Sequence, residues 1–305
     1  MMAKLCLGTV QFGMNYGVNN QIGRQPTWQE SFEMLDYALE NGIDTIDTAR
    51  AYGDAEIVLG EYFKNREDKK KYVKVISKLR PNVIEEGSDI RNVVIEECKN
   101  TLLRLNLEKL NGYLLHTPEY IYNDEILSAL QELKRKNYVD NIGVSIYGLK
   151  EGEAAINTGI VDYIQLPYSI LDQRGSKKDF FKKAKQNDIT IFTRSAFLQG
   201  LFMMDYNKVP NNLHKAIPYL QEIDEIIKKH NIDKITAILS FVCAEKDIDY
   251  LVFGVETLEQ LKIDIHRYKN MSIPKMCVKE LKQCIDNVDE SIIFPSLWSN
   301  GRKAE

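Results

Sequence analysis

Eight times along this chain a short apolar run ends near a polar residue and gives way to a segment with helical spacing of its apolar positions. The runs are Lys4 to Leu7, Asp44 to Ile46, Val73 to Ile76, Gly112 to Leu115, Asn141 to Val144, Tyr163 to Leu166, Thr190 to Phe192 and Tyr250 to Phe253. Strand and helix alternating in this way specify a parallel sheet, because parallel neighbours must be joined by a crossover long enough to hold a helix. Eight such units follow one another without a Pro/Gly/Ser-rich linker, so a single (β/α)8 barrel is expected, an α/β fold over residues 1–305 with a tail from about residue 275 covering the barrel. The length of 305 residues exceeds the usual domain, but barrels of this kind reach it with one shared core.

The segments between the runs have legible ends. Thr27 and Glu30 form a capping box that opens a helix to Glu40, with Asn41-Gly42 as its stop and Phe32, Leu35 and Leu39 as its buried stripe. A second helix, Asp124 to Lys136, places Ile126, Leu127, Leu130 and Leu133 on one face and Lys134, Arg135 and Lys136 in its last turn, where cations suit the helix dipole. The competing architecture is an open doubly wound sheet. That fold binds dinucleotides through G-x-G-x-x-G after its first strand, and no such string occurs here.

Composition narrows the function classes. A net charge of -4 gives no global attraction to nucleic acid or anionic membranes, and the apolar stretch Ile235 to Ala244 is too short to cross a bilayer. Met1 to Phe12 lacks the basic and apolar regions of a secretory leader, so a soluble, unprocessed, cytoplasmic protein is expected. The five cysteines are scattered, never spaced C-x-x-C, and read as buried thiols of a reducing compartment. No metal site is expected: His214, His230 and His266 lack ligand spacing and read as surface residues, and Lys69-Lys70-Lys71 reads as a solvated approach to a strand.

In a (β/α)8 barrel reactive groups lie at the C-terminal ends of strands. Strand two ends in Asp47 and leads to Tyr52, strand three ends in Lys78 and strand four in His116. Singly, each has an ordinary structural explanation: a turn cap, a solvated amine, a packed histidine. Together they suit one chemistry. Hydride addition to a carbonyl leaves charge on its oxygen, which a phenol can protonate, and an ammonium beside the phenol lowers its pKa. Asp47 would hold the ammonium of Lys78, and His116 would donate a hydrogen bond to the oxygen.

These residues resemble the aldo-keto reductase superfamily, whose catalytic Asp, Tyr, Lys and His occur in this chain order. Leu7-Gly8-Thr9, the stretch from Asp47 to Gly60, Ser77-Lys78, Leu115-His116-Thr117-Pro118, Ile142 to Ser145 and Gln165 to Arg174 carry the likeness, which runs from about Leu5 to Asp264. The resemblance implies Tyr52 as general acid, Lys78 and Asp47 as its tuning pair, and His116 as the group that orients the substrate. It implies a nicotinamide cofactor, NADP(H) or NAD(H), held by Gly8, Thr9 and Asp47 and through its carboxamide by Ser145 and Gln165. Ile146 stands where the family usually has Asn, and Arg194 where many relatives have an aromatic ring on the nicotinamide, so stacking would fall to the planar guanidinium.

Two loops are expected to meet the cofactor phosphates: Ser195 to Gly200, which includes Phe197 and Gln199, and Gly254 with the following residues. Thr257 and Gln260 read as a capping box there. The stretch from Gly254 to Gln260 resembles the family's adenosine-phosphate loop. The family favours NADP(H), whereas Glu256, Gln260 and Asp264 weaken that preference, and Lys262 and Arg194 are the nearby cations by sequence. The substrate pocket is expected from Pro81 to Asp89, Thr117 to Asn123, Phe197 to Pro218 and the tail after Asn287, with Tyr120, Phe202 and Trp298 as aromatic candidates. Leu171 to Arg174 and Phe197 to Leu201 resemble a bacterial branch that includes sugar-acting members, so the expected partner is a small carbonyl or alcohol, sugar-derived in that reading. Two alternatives stay open: a Schiff-base lyase using Lys78, and a non-catalytic nucleotide-binding redox sensor.

Overall fold

The computed structural model describes residues 2–298. Eight parallel strands close into a barrel in sequence order: β1 (Lys4–Gly8), β2 (Thr45–Asp47), β3 (Lys74–Leu79), β4 (Leu110–Leu115), β5 (Val139–Ser145), β6 (Tyr163–Pro167), β7 (Thr190–Arg194) and β8 (Tyr250–Gly254). All eight expected runs are strands. Most continue beyond the apolar run at the C-terminal end, to Gly8, Asp47, Leu79, Ser145, Pro167, Arg194 and Gly254, because the residues there, apolar or not, still pair in the ladder.

Alternation along these strands builds the site. Cys6, Ile76, Leu114, Phe192 and Val252, packed by Tyr163 and Tyr250, fill the barrel interior as one apolar layer, with Phe192 and Tyr250 stacked at 4.5 Å. Side chains two residues further on share the inward face. Those residues are Gly8, Lys78, His116, Gln165, Arg194 and Gly254, so the next layer up is polar. A second, larger core lies between the sheet and the surrounding helices. Gly143 marks where strands approach too closely for a side chain: a Cβ there would sit 2.1 Å from the carbonyl oxygen of Tyr163.

The helix Trp28–Glu40 starts with the full Thr27/Glu30 capping box and stops at Asn41. Its buried stripe is Ser31, Met34, Leu35 and Ala38, with Phe32 and Leu39 flanking it only half-buried, because the helix faces the barrel one residue away from the expected line. The helix Asp124–Arg135 buries the four expected residues and Ala129, and Asn123 caps it. The β7–β8 connection carries two helices, Ile217–Lys229 and Lys234–Cys243. Lys275–Cys284 packs on these two, and the chain then runs through Glu290–Ile293 to Phe294, whose ring meets Tyr147 above strand β5.

Several smaller expectations need correction. His230 is half-buried and pairs with Glu280 at 3.2 Å, and Lys69 is paired with Asp36. Cys284 is only half-buried, while the other four thiols are buried. Among the described residues no helix is long and apolar enough to cross a membrane, and no group of three or more His, Cys, Asp or Glu residues is placed to hold a metal.

Replacing Gly143 by Ala forces the Tyr163 backbone outward and opens the β5–β6 ladder. A loss of about 3 kcal/mol or more is expected, read as a lower urea midpoint, since overpacking of this kind leaves no side chain to yield. An unchanged midpoint would contradict the close approach.

Candidate active site

Lys78 is fully buried at the end of β3. Its ammonium donates to both oxygens of Asp47 at 2.8 and 2.9 Å, to the Thr48 carbonyl at 2.9 Å and, at a longer 3.4 Å, to Tyr52 Oη. Asp47 is held in turn by the Gln165 side-chain amide at 2.6 Å, while Ser145 Oγ donates to Gln165 Oε1. Thr9 fixes the Asp47 carbonyl through both its backbone N–H and its hydroxyl. A buried ion pair with its remaining donors and acceptors satisfied avoids the large penalty of an isolated buried charge.

Tyr52 reaches this network from the loop after β2. The Gly13 backbone lies directly beneath it: a Cβ at Gly13 would be 1.7 Å from the Tyr52 carbonyl oxygen, and Asp54 N–H donates to Gly13 O at 3.2 Å. The Tyr52 and His116 rings meet edge to face at 5.8 Å, and Lys78 Nζ lies 5.0 Å from the centre of the Tyr52 ring. The four expected catalytic residues are therefore brought together.

Their protonation differs from expectation in one respect. Burial, reinforced by the Asp47 carboxylate, pushes the Tyr52 phenol above its usual range, with the Arg194 charge opposing. The resting phenol therefore keeps its proton, instead of drifting toward phenolate as the neighbouring ammonium had suggested. Burial lowers the Lys78 ammonium, and Asp47 opposes that fall. Burial and the charges of Lys78 and Arg194 push His116 down to about 3, so its ring is neutral near pH 7, with Nδ1 buried and without a partner among the described residues.

Arg194 ends β7 beside this cluster. Its guanidinium lies 4.2 Å from the centre of the Tyr147 ring and donates to Ile146 O and Ser195 Oγ. Ile146 is wholly buried and offers no side-chain hydrogen bond. After Arg194 the backbone runs through left-handed conformations at Ser195, Leu198, Gln199 and Gly200. The amide N–H groups of Ser195, Ala196 and Phe197 have no intramolecular partner among the described residues.

The loop from Met14 to Pro26 bridges the two expected phosphate-binding segments, which sequence reasoning did not foresee. Gln199 Nε2 donates to Tyr16 Oη at 2.8 Å and Asn19 N–H to Gln199 O at 3.4 Å, while Gln21 N–H donates to Glu256 at 2.8 Å. Gln11 was also missed: it lies against Gly254 with its buried Oε1 unpartnered. No local periodicity marks these residues, since their roles arise only when distant loops meet.

After β8, Thr257 caps the helix Leu258–Asn270 by accepting from Gln260 N–H. The return bond differs from a true capping box, as Gln260 Oε1 accepts from Glu256 N–H, one residue further back. Asp264 lies one turn beyond Gln260 on the same face. It is buried, and desolvation pushes its carboxyl up to about 7. Lys262 instead turns toward the Tyr37 ring. Of the aromatic pocket candidates, Phe202 belongs to the core, Tyr120 accepts from Ile84 N–H, and Trp298 donates to Ile292 O.

A barrel with a buried Lys–Asp pair, a phenol and a neutral imidazole at its C-terminal mouth defines a class of barrel oxidoreductases. The Aldo/keto reductase family model matches residues 4–286, and the chain belongs to that family. It is 24% identical over 303 residues to the NADH-specific methylglyoxal reductase of Escherichia coli, covering 87% of this chain and 93% of that one. It is 22% identical to the D-arabinose 1-dehydrogenase of Saccharomyces cerevisiae, covering 93% and 91%. The aldo-keto reductase AKR11C1 from Bacillus halodurans, in its holo form, superposes with a TM-score of 0.74 at 17% identity, covering 98% of this chain and 96% of that one.

Asp264 gives a pH signature. Its folded pKa is raised above the ordinary 3.8, so between that value and about 7 unfolding releases a proton. Stability therefore falls as pH rises through that window. Asp264→Asn is expected to remove this fall, giving a higher urea midpoint than the wild type at about pH 8 and little difference at about pH 4. Parallel profiles would contradict the raised pKa.

Proposed function

We propose that this protein catalyses the nicotinamide-dependent reduction of a small aldehyde or ketone, and the reverse oxidation of the alcohol, with Tyr52 as proton donor. The observation that carries the reading is the phenol of Tyr52 set beside the Lys78–Asp47 pair and edge to face with the His116 ring. A reduced nicotinamide supplies the hydride when bound. Tyr52 Oη releases its proton to the carbonyl oxygen as charge builds there, and the Lys78 ammonium 3.4 Å behind it stabilises the phenolate left behind. His116, neutral, orients the carbonyl oxygen through a ring N–H.

The residues present fit the cofactor. Gln165 and Ser145, bonded to each other, retain an amide N–H and lone pairs for a carboxamide. The unpartnered N–H groups of Ser195 to Phe197 suit phosphate oxygens, with Gln199 and Gly200 shaping that turn. Gly8, Thr9 and Gly254 would line the barrel mouth between them. Glu256 and Gln260 would face the adenosine ribose, with the buried Asp264 one turn further on; the Glu256 carboxylate would accept from ribose hydroxyls and repel a 2′-phosphate. NADH is therefore the proposed cofactor, as the name of the Escherichia coli relative also suggests. Methylglyoxal and D-arabinose, named for two relatives, indicate the proposed substrate class of small polar carbonyls. Five cysteine thiols without a disulfide support a reducing, cytoplasmic setting.

The Schiff-base alternative fares poorly. Every N–H of the Lys78 ammonium is engaged, and a buried cation bonded to both oxygens of Asp47 is not a free amine.

Tyr52→Phe is expected to lower kcat for methylglyoxal reduction by about 10²- to 10⁴-fold, while the Kd for NADH changes far less. Undiminished turnover would refute the assigned role. With the wild-type enzyme, kcat/KM for NADH is expected to exceed that for NADPH by about tenfold or more, and Glu256→Arg to narrow the gap. A preference for NADPH would overturn the reading of the adenosine end.

A further inference from the structure

Arg194 has more hydrogen-bonding capacity than the fold uses. A guanidinium carries five N–H donors. One goes to Ile146 O at 3.2 Å and one to Ser195 Oγ at 3.4 Å, and the others have no protein partner among the described residues. Nearby Arg174 is paired with Asp172 at 2.8 Å, whereas no carboxylate of the described residues lies within ion-pair distance of Arg194. One face of the group is covered by Tyr147, so the cation is held in place with its edge free.

Tyr16 supplies a second donor to the same space. Its hydroxyl accepts from Gln199 Nε2 at 2.8 Å, and its own proton has no acceptor among the described residues. Arg194 lies in the inward polar layer with Lys78 and His116, and Tyr16 is bonded to Gln199 in the turn that follows Arg194. A fixed cation and a spare phenolic O–H beside a carbonyl-binding site make a receptor for an oxyanion.

We propose that Arg194 and Tyr16 form a substrate subsite for an anionic oxygen group, carboxylate or phosphate, so that the enzyme prefers small carbonyl compounds carrying such a group over neutral ones. This rests on the carbonyl-reductase reading above and names its substrate class. Arg194 is then a specificity-determining residue, with its edge serving the substrate.

Two matched sets of substrates test it: a short series of ω-oxo acids against their methyl esters, and glyceraldehyde 3-phosphate against glyceraldehyde. The wild type is expected to favour the anionic member of at least one set in kcat/KM, and the set that discriminates identifies carboxylate or phosphate. Arg194→Met should cut that ratio by about tenfold to hundredfold, Tyr16→Phe by less, and Arg194→Lys should restore part of it. Equal losses on charged and neutral substrates, or no wild-type preference, would overturn the subsite. If no carbonyl is reduced at all, titration with ω-hydroxy acids and the matching diols, followed by tyrosine fluorescence, separates the two claims. Saturable binding of the acids alone, lost in Arg194→Met, would uphold the subsite while the reductase reading fails; no discrimination would overturn the subsite as well.

Discussion

The ion pair between Lys78 and Asp47 is the interaction on which the rest of the site depends. Removing two charges from water costs several kcal/mol each, and here the cost is offset by a dense set of bonds: Thr48, Gln165 and Thr9 each fix one member of the pair. Those partners come from different strands and loops, so the pair ties β1, β2, β3 and β6 together at the mouth of the barrel. A structure that needed only stability would fill this layer with apolar side chains, as the layer beneath does with Phe192, Leu114 and Ile76. In the proposed reading, the polar layer holds the charge of Lys78 and the proton of Tyr52 where the reaction uses them.

Much of this was legible in the sequence. Strand-period alternation puts Lys78 two residues after Ile76 and Gln165 two after Tyr163, so the inward polar layer follows from the same pattern that identifies the strands. The helix Trp28–Glu40 announced its start through Thr27 and Glu30. Less legible was the protonation of Tyr52, because it depends first on burial, and burial is not a local property. Gly13, which supports Tyr52, and Tyr16, which accepts from Gln199, carried no periodic signal. Their roles exist only because the loop after β1 folds across the mouth of the barrel. Phe202 illustrates the opposite error: an aromatic residue in a loop looked available for a pocket, yet it packs in the core.

Family membership and local divergence sit together comfortably in this chain. Sequence identity of 24% to the Escherichia coli relative extends over 87% of this chain. The departures cluster at the rim: Ile146 without a side-chain donor, Arg194 stacked on Tyr147, and Glu256 fastened to Gln21. Ile146 and Glu256 lie in loops and Arg194 ends β7, all at the rim, where substitutions change what is bound without disturbing the core. The Met14 to Pro26 loop joins one of them, Glu256, to the turn at Gln199.

The central claim is that a hydride passes from nicotinamide to a carbonyl carbon at this site. Incubation of the protein with methylglyoxal and NADH deuterated at the transferring C4 position, followed by NMR of the product, tests it most directly. The account expects deuterium on the newly formed carbinol carbon in proportion to the NADH consumed. NADH left unoxidised across a panel of small charged and neutral carbonyls, or product formed without the label, would contradict it.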